Sequence, residues 1–341
     1  MPLVSIIVAN YNGGQLIESC IRSLLKSKTG HYSYEIIVVD NASTDGSPDL
    51  IVKRFPAVRL IRLTRNLGYA AANNIGIRAA AGEYLVLLNS DTRVDPKWLT
   101  SLLGAAEHNP HAAFLQPKIL FLDNHGMINS AGNDIHCAGF GVCRGIGTRD
   151  VGQYDHIRKI GYASGACVMV SRKALADIGI LDEIFYAYGE DKDWGWRAMM
   201  LGYQSIYVPT AKVYHKWSAV LGWSPKKMYY LELERLISIW KNHSKRMLIL
   251  LAPTLVIVEV AVLIHALFKG WWKYKIMCYV HAFASRAQVM KRRRELFSAR
   301  KTPDNLLIRE FVFELQHPYV GKLTEPLNFL CQLFRRILIF D

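Results

Sequence analysis

The chain has 341 residues, a formal net charge of +14 and 51% hydrophobic residues, a length that allows about two domains. It carries no Gly-rich phosphate loop and no dinucleotide fingerprint, which speaks against ATP or NAD chemistry, and no internal repeat or low-complexity linker divides it. Its six cysteines are scattered with no CxxC pair, so they read as reduced thiols of a cytosolic compartment rather than a disulfide or metal framework. The pattern then opens directly on a strand, Val4 to Ala9, with no cleavable signal sequence before it. Asn10-Tyr11-Asn12-Gly13-Gly14 follows, and then a segment whose Leu16, Cys20, Leu24 and Leu25 share a helical face. A second strand, Glu35 to Val39, ends in Asp40-Asn41-Ala42-Ser43-Thr44-Asp45-Gly46, and a third spans Val58 to Leu63. Arg65-Asn66-Leu67-Gly68-Tyr69 opens a small-residue helix over 70–81.

The most informative stretch is EYLVLLNSD, Glu83 to Asp91. An apolar run this short, bounded by polar turn residues, fits a central strand of a parallel sheet. Ligands of open α/β sheets bind beyond the carboxyl ends of the strands, and a carboxylate there is well sited for a hard cation bridging two phosphates. Strands alternating with helices imply βαβ units and a mostly parallel sheet. Asn10, Asp40, Arg65 and Asp91 then gather on one edge. Pro117 to Tyr162, rich in Gly, Asn and His, is the least readable stretch of the first half and carries no clear period. Ser164-Gly165-Ala166 leads a further strand, Cys167 to Val170.

The series VSIIVANYN, VVDNASTDGS, RNLGYAAANNIGIRAA, EYLVLLNSD and YGEDKDWGWRAMMLGY resembles family 2 glycosyltransferases of the GT-A fold, and within them the rhamnosyltransferase-like branch. The resemblance covers about the first 220 residues. It implies an α/β, Rossmann-like GT-A domain over 1–220. It also implies that Asp40 accepts a hydrogen bond from the donor's pyrimidine base, that Ala9 and Tyr11 line the base pocket, and that Arg65 sits near the nucleotide. Asp91 would bind a divalent metal, Mg2+ or Mn2+, on the diphosphate, and His215 stands where relatives carry a second metal or phosphate contact. Asp191 would be the general base with Glu190 beside it, and Gly165 and Ala166 would line the acceptor side. The family's metal motif is often Asp-x-Asp, whereas here Asn89-Ser90-Asp91 opens with an amide. One negative charge is lost, so modest metal affinity is expected, with the donor diphosphate supplying much of the coordination.

Loss of a nucleoside diphosphate calls for a cation that neutralises the leaving group, and the attacking hydroxyl needs a carboxylate to take its proton. The anomeric carbon passes through oxocarbenium character, as in glycoside hydrolysis. A single acceptor-side carboxylate fits inversion. Other acids read as structural: Asp45 as a turn residue, Asp95-Pro96 as a helix N-cap with Pro in the first turn, and Asp193 as a first-turn helix acid. The resemblance thus implies an inverting, metal-dependent transferase using dTDP-rhamnose ahead of UDP-sugars, with a lipid-linked saccharide as acceptor. A non-catalytic nucleotide-sugar-binding scaffold is the alternative of another class.

Composition changes after residue 220. Residues 1–220 hold 22 basic and 19 acidic residues, a net of +3, whereas 221–341 hold 20 and 9, a net of +11. Nucleic acid is one partner for such a tail, but the run MLILLAPTLVIVEVAVLIHALF, Met247 to Phe268, argues against it. The run is long enough to span a bilayer, yet both flanks are basic, against the charge asymmetry of a single span. A re-entrant or in-plane element bent at Pro253 is the other topology, with Trp271, Trp272 and Tyr274 as interfacial anchors. Residues 221–341 are therefore expected to form a helical region on an anionic membrane surface, at the cytoplasmic face. Leu327 to Phe340 reads as a second interfacial helix.

Overall fold

A computed structural model describes residues 3–216 and 224–315, together with 328, 329, 331, 332 and 335. The chain packs as two compact units. The first comprises Met1–Asn133, Cys143–Ala198 and Tyr203–Ala219, and the second Asp134–Val142, Met199–Gly202 and Val220–Asp341.

In the first unit β1 (Leu3–Asn10), α1 (Gly14–Leu24), β2 (Ser33–Asp40), α2 (Ser47–Arg54), β3 (Arg59–Arg62), α3 (Tyr69–Ala79) and β4 (Tyr84–Asn89) alternate strictly. The four strands lie in the order β3-β2-β1-β4, all parallel. The register sets Asn10 opposite Asp40 and Ala9 opposite Asn89, so the polar strand ends do share one edge. On α1 the buried face is Ile17, Cys20, Ile21 and Leu24, while Leu25 is exposed. The stripe is thus rotated from the expected one, because Ile17 and Ile21 turn inward.

After β4 come β5 (Thr92–Val94), α4 (Trp98–His108), β6 (Ala112–Phe121) and β7 (Asn124–Ser130). Two short strands, β8 (Asn133–Ile135) and β9 (Gly141–Cys143), precede β10 (Arg158–Ile160), β11 (Cys167–Ser171), α5 (Arg172–Ile178), α6 (Glu190–Met200) and β12 (Gln204–His215). The full sheet runs β10-β12-β6-β11-β4-β1-β2-β3. Here the expectation of a mostly parallel sheet is corrected, since β11 is antiparallel to both β4 and β6, and β10 and β5 are antiparallel to β12. The reason is local: β11 starts where β4 ends, with Cys167 opposite Leu88, so it must run back down the sheet. That reversal carries Ser164-Gly165-Ala166 to the carboxyl edge of β4. Asp95 also departs from expectation. Its side chain accepts from Lys97 N–H at 2.9 Å in a turn before α4 rather than capping the helix.

The second unit holds α7 (Pro225–Asn242), α8 (Lys245–Leu250), α9 (Ala252–Phe268), α10 (Trp272–Ala284), α11 (Arg286–Ala299) and α12 (Asp304–Glu310). The long apolar run is broken at Leu251, with Pro253 in the first turn of α9. No described helix is long and apolar enough to cross a membrane, which corrects the single-span reading. Glu259, the acid inside the run, is tied to Arg235 and lies 2.6 Å from Lys275, while Glu232 pairs with Arg235 at 2.9 Å. Apart from Asn328, Phe329, Cys331, Gln332 and Arg335, the closing segment 327–340 lies outside the described residues.

Alternation along the central strands feeds both faces of the sheet. Val4, Ile6, Val8, Ile36, Val38, Val86 and Leu88 join α1 and α4, with Trp98 fully buried, in one core cluster. On the other face α3 closes down over Ile7 and Val39 through Gly76, where an added Cβ would stand 2.3 Å from Ile7 Cγ2 and 3.2 Å from Val39 Cγ2. Gly104 of α4, in contrast, has open space around it. Thermal unfolding should therefore separate two substitutions. Gly76→Val should cost about 1–3 kcal/mol by overpacking, whereas Gly104→Ala should stabilise by roughly 0.5–1 kcal/mol.

Candidate active site

The site begins with the reversal after β4. Thr92 Oγ1 donates to the Asn89 carbonyl at 2.7 Å, turning the chain back into β5. β5 then pairs with β12, setting Thr92 opposite His215, and Lys216 N–H donates to the Asp91 carbonyl at 3.0 Å. This pairing brings His215 Nε2 to 3.3 Å from Asp91 Oδ1 and 3.4 Å from Asn89 Nδ2. On the other side of the ring His215 Nδ1 donates to Asn129 Oδ1 at 3.2 Å. With the ring proton on Nδ1, the Nε2 lone pair faces Asp91 and the Asn89 amide, the tautomer of imidazoles that ligate metals. Asp91 Oδ1 is buried without a hydrogen-bond partner. Such an oxygen beside an imidazole lone pair is an acceptor-only pocket, whose natural complement is a cation.

A short backbone path joins this pair to the expected base. Asn89 N–H donates to the Ala166 carbonyl at 3.1 Å, and Gly165 N–H donates to Asp191 Oδ2 at 2.9 Å. Asp191 Oδ1 accepts from Lys192 N–H at 2.7 Å. Asp191 opens α6, and desolvation raises its carboxyl above the usual range despite these N–H donors. Tyr69 closes the same corner, its hydroxyl donating to the Gly165 carbonyl at 2.6 Å. Burial and then the nearby Glu190 and Asp191 charges raise the Tyr69 phenol. Burial, and then the charges of Glu190 and Asp91, push the Tyr188 phenol up to about 12. Glu190 is buried and Asp191 half-buried, so Asp191 is the more accessible of the two carboxylates.

The residues expected on the nucleotide side are held more tightly than the sequence implies. Asp40 is buried, with Oδ1 accepting from Asn10 Nδ2 at 2.9 Å and Oδ2 from Ser43 N–H at 3.1 Å. Asn41 accepts from Leu67 N–H and donates to Asn66, clamping the loop that carries Arg65. Arg65 and Tyr11 are exposed, while Ala9, Ser90 and Asn89 are half-buried. Among the described residues, the positive-φ positions other than glycine, Asn12, Ala42 and Tyr188, lie in loops flanking these groups, the kind of strain that clusters at functional sites. Asp45 and Asp193 are structural, as expected. Asp45 accepts from Gly14 and Ser47, and Asp193 pairs with Arg197 at 2.9 Å. The loop region after β6 is pinned rather than open, because the buried Lys118 bridges Asp150 at 2.9 Å and also reaches Asp155.

Asn129, Tyr69 and Tyr188 escaped the sequence reading. The run RNLGYAAANN held a signal for Tyr69, but Asn129 lies in a region without periodicity and meets His215 only through the fold. A gathering of another kind was also hidden. Among the described residues, His136, Cys137 and Cys331 of the second unit bring ligand atoms within 4.8 Å of one another, all buried. The lone pair of His136 Nδ1 is taken by Ala138 N–H at 3.1 Å.

Residues 5–179 match the sequence profile of glycosyl transferase family 2. The chain belongs to that family. It is 30% identical over 236 residues to the N-acetylglucosaminyl-diphospho-decaprenol L-rhamnosyltransferase of Mycobacterium tuberculosis, covering 62% of this chain and 76% of the relative. It is 29% identical over 227 residues to the O-antigen biosynthesis protein RfbC of Myxococcus xanthus, covering 64% of this chain and 18% of that protein. Among solved structures, GalNAc-T7 with UDP, GalNAc and Mn2+ superposes with a TM-score of 0.58 at 16% identity, over 71% of this chain and 48% of that one. S. aureus TarS superposes with a TM-score of 0.55 at 14% identity, over 99% and 54%. At these identities the structures speak for the fold alone, a GT-A-like α/β domain.

As a family 2 glycosyltransferase, the enzyme should be sensitive to any bulk at Gly165. An added Cβ there would stand 3.1 Å from Tyr69 Oη and 3.5 Å from Asp191 Oδ2. Gly165→Ala should lower kcat by about 10- to 10²-fold through misplacement of Asp191, with the melting temperature nearly unchanged. Steady-state transfer assays beside thermal unfolding check this.

Proposed function

We propose that the enzyme transfers a sugar, with inversion, from a nucleotide-diphosphate donor to a lipid-linked saccharide during cell-envelope polysaccharide synthesis. dTDP-rhamnose is the favoured donor, ahead of UDP-sugars, in keeping with the rhamnosyltransferase among the relatives. The observation that carries the reading is the Asp91–His215 pair at 3.3 Å, joined through Asn89, Ala166 and Gly165 to Asp191. Mg2+ or Mn2+ held by Asp91 and His215 would supply Lewis-acid neutralisation of the leaving diphosphate.

The chain's own groups account for the rest of the chemistry. The acceptor hydroxyl oxygen bonds to the anomeric carbon as the bond to the diphosphate oxygen breaks, and the electron pair leaves with the diphosphate. Asp191 takes the hydroxyl proton. Its raised pKa makes it a better base near neutral pH than an ordinary carboxylate. Gly165, without a side chain, lets a sugar approach the backbone. A single reachable carboxylate on the acceptor side supports one displacement rather than a covalent double one. We place the enzyme at the cytoplasmic face of the membrane, where its free cysteines match a reducing compartment and an anionic lipid surface is the partner of the second unit.

Three outcomes follow for donor binding and transfer. In titration calorimetry with dTDP-rhamnose, UDP-sugars and GDP-mannose, one donor should bind only with Mn2+ or Mg2+, and Asp91→Ala should abolish that binding. Donor affinity that ignores the cation and survives Asp91→Ala removes Asp91 as a ligand. Asn129→Ala, which frees the His215 ring, should weaken the metal dependence by about 10- to 100-fold. The pH profile of kcat/KM should show an acidic limb set by Asp191. The base works only when deprotonated, so the rate falls as pH drops through a pKa above the usual carboxylate range. Asp191→Asn should erase that limb and cost roughly 10²–10⁴-fold; full transfer by this variant with the native acceptor would exclude Asp191 as the base.

A further inference from the structure

The second unit presents two apolar stripes to its surroundings. On α9 they are Val256 (62% exposed), Val260 (51%), Ile264 (47%) and Phe268 (87%), spaced by four residues along one helical face. On α10 they are Trp272 (43%), Ile276 (47%), Val280 (59%) and Phe283 (60%), again at helical spacing. The opposite faces are committed to the protein. Lys275 and Cys278 of α10 are buried, with Lys275 bonded to Glu232 and Cys278 donating to the Tyr229 carbonyl of α7. Glu259 of α9 accepts from Tyr279 of α10 at 2.5 Å and pairs with Lys275 at 2.6 Å, which locks the two helices together. Gly270, in a left-handed conformation, makes the turn between them.

Charge identifies what covers these stripes. From Ala252 to Ala299 the exposed charged residues are Lys269, Lys273, Arg286, Lys291, Arg292, Arg294 and Glu295, the last 3.9 Å from Arg292, and the other acid, Glu259, is held in ion pairs, so cations predominate. A second copy docked through this face would set the same cations against one another, because a two-fold interface pairs a patch with itself. An anionic lipid leaflet meets both demands, taking the apolar stripes into its acyl boundary and the cations at its phosphates. Length and composition together argue against a span, since no described helix is long and apolar enough to cross a membrane. The 17 residues of α9 make about 25 Å of helix, short of a hydrocarbon core of about 30 Å.

We propose that α9 and α10 form a hairpin that lies in the plane of one anionic leaflet, apolar stripes down, and holds the enzyme on the membrane without crossing it. This deepens the lipid-linked acceptor reading, but it stands on separate residues. Donor binding tests the one and lipid binding tests the other.

The full-length chain, purified in detergent, is mixed with preformed sealed vesicles of phosphatidylglycerol or of phosphatidylcholine and floated after detergent removal. Wild type should partition at least about tenfold more strongly into the anionic vesicles, and less so at high salt. The combined Ile264→Ser, Phe268→Ser, Val280→Ser and Phe283→Ser variant alters only exposed positions. It should keep its circular dichroism and nucleotide-sugar affinity yet lose about tenfold or more in partition. In a Lys269→Cys variant bound to sealed vesicles, the introduced thiol should still react with an impermeant maleimide added outside, above the parent chain's background. Wild type that stays in the aqueous layer overturns the proposal, as does a serine variant that floats as well as wild type. A Lys269→Cys thiol shielded from the reagent would mean a hairpin that crosses the bilayer, and overturns it too.

Discussion

A carboxylate standing at the end of a fully buried strand is the constraint around which the first unit is arranged. β4 is apolar on both faces from Leu85 to Leu88, so the chain can change character only where the sheet ends. Asn89-Ser90-Asp91 is that change. Thr92 folds the chain back, β5 finds β12, and His215 arrives beside Asp91 from more than a hundred residues away. β11 leaves the same edge in the reverse direction and brings Gly165 between Asn89 and Asp191. The Asp91 side and the Asp191 side of the pocket therefore depend on two strand pairings with one short segment, β4 and its turn.

The same geometry explains why the two acids have separate characters. Asp191 takes two backbone N–H donors and still has its carboxyl raised by burial, the direction a base needs to hold a proton near neutral pH. Asp91 lies 3.3 Å from an imidazole that Asn129 holds from its other side, the setting in which we propose a cation. The loss of a charge at Asn89 is offset in kind, not in sign: its amide lies within 3.4 Å of His215 and helps to frame the pocket.

Much of this was legible in the residues. The alternation of buried strands and amphipathic helices up to Asp91 is local, and each element there has a period and a boundary residue that announce it. Asp40 and Asp91 stand out because they end or follow such strands, whereas Asp191 stands out only through the resemblance of YGEDKDWGWRAMMLGY to the family. What stayed hidden is non-local. Nothing in CVMV tells that β11 runs antiparallel, since a short apolar run reads alike in either direction, and so the sheet proved mixed. Asn129 and Lys118 lie in a stretch whose order comes from buried polar partners rather than periodicity. In the second unit the apolar run looked continuous because hydropathy does not register that Leu251 and Pro253 split it, or that Glu259 sits in a nest of cations.

The proposed role of Asp91 and His215 is a cation site completed by the donor diphosphate. Anomalous diffraction from crystals grown with Mn2+ and the nucleoside diphosphate tests it most directly. The account predicts a manganese peak bonded to Asp91 and the diphosphate, with His215 alongside. Diphosphate bound in the pocket without manganese, or manganese only at His136, Cys137 and Cys331, would contradict it.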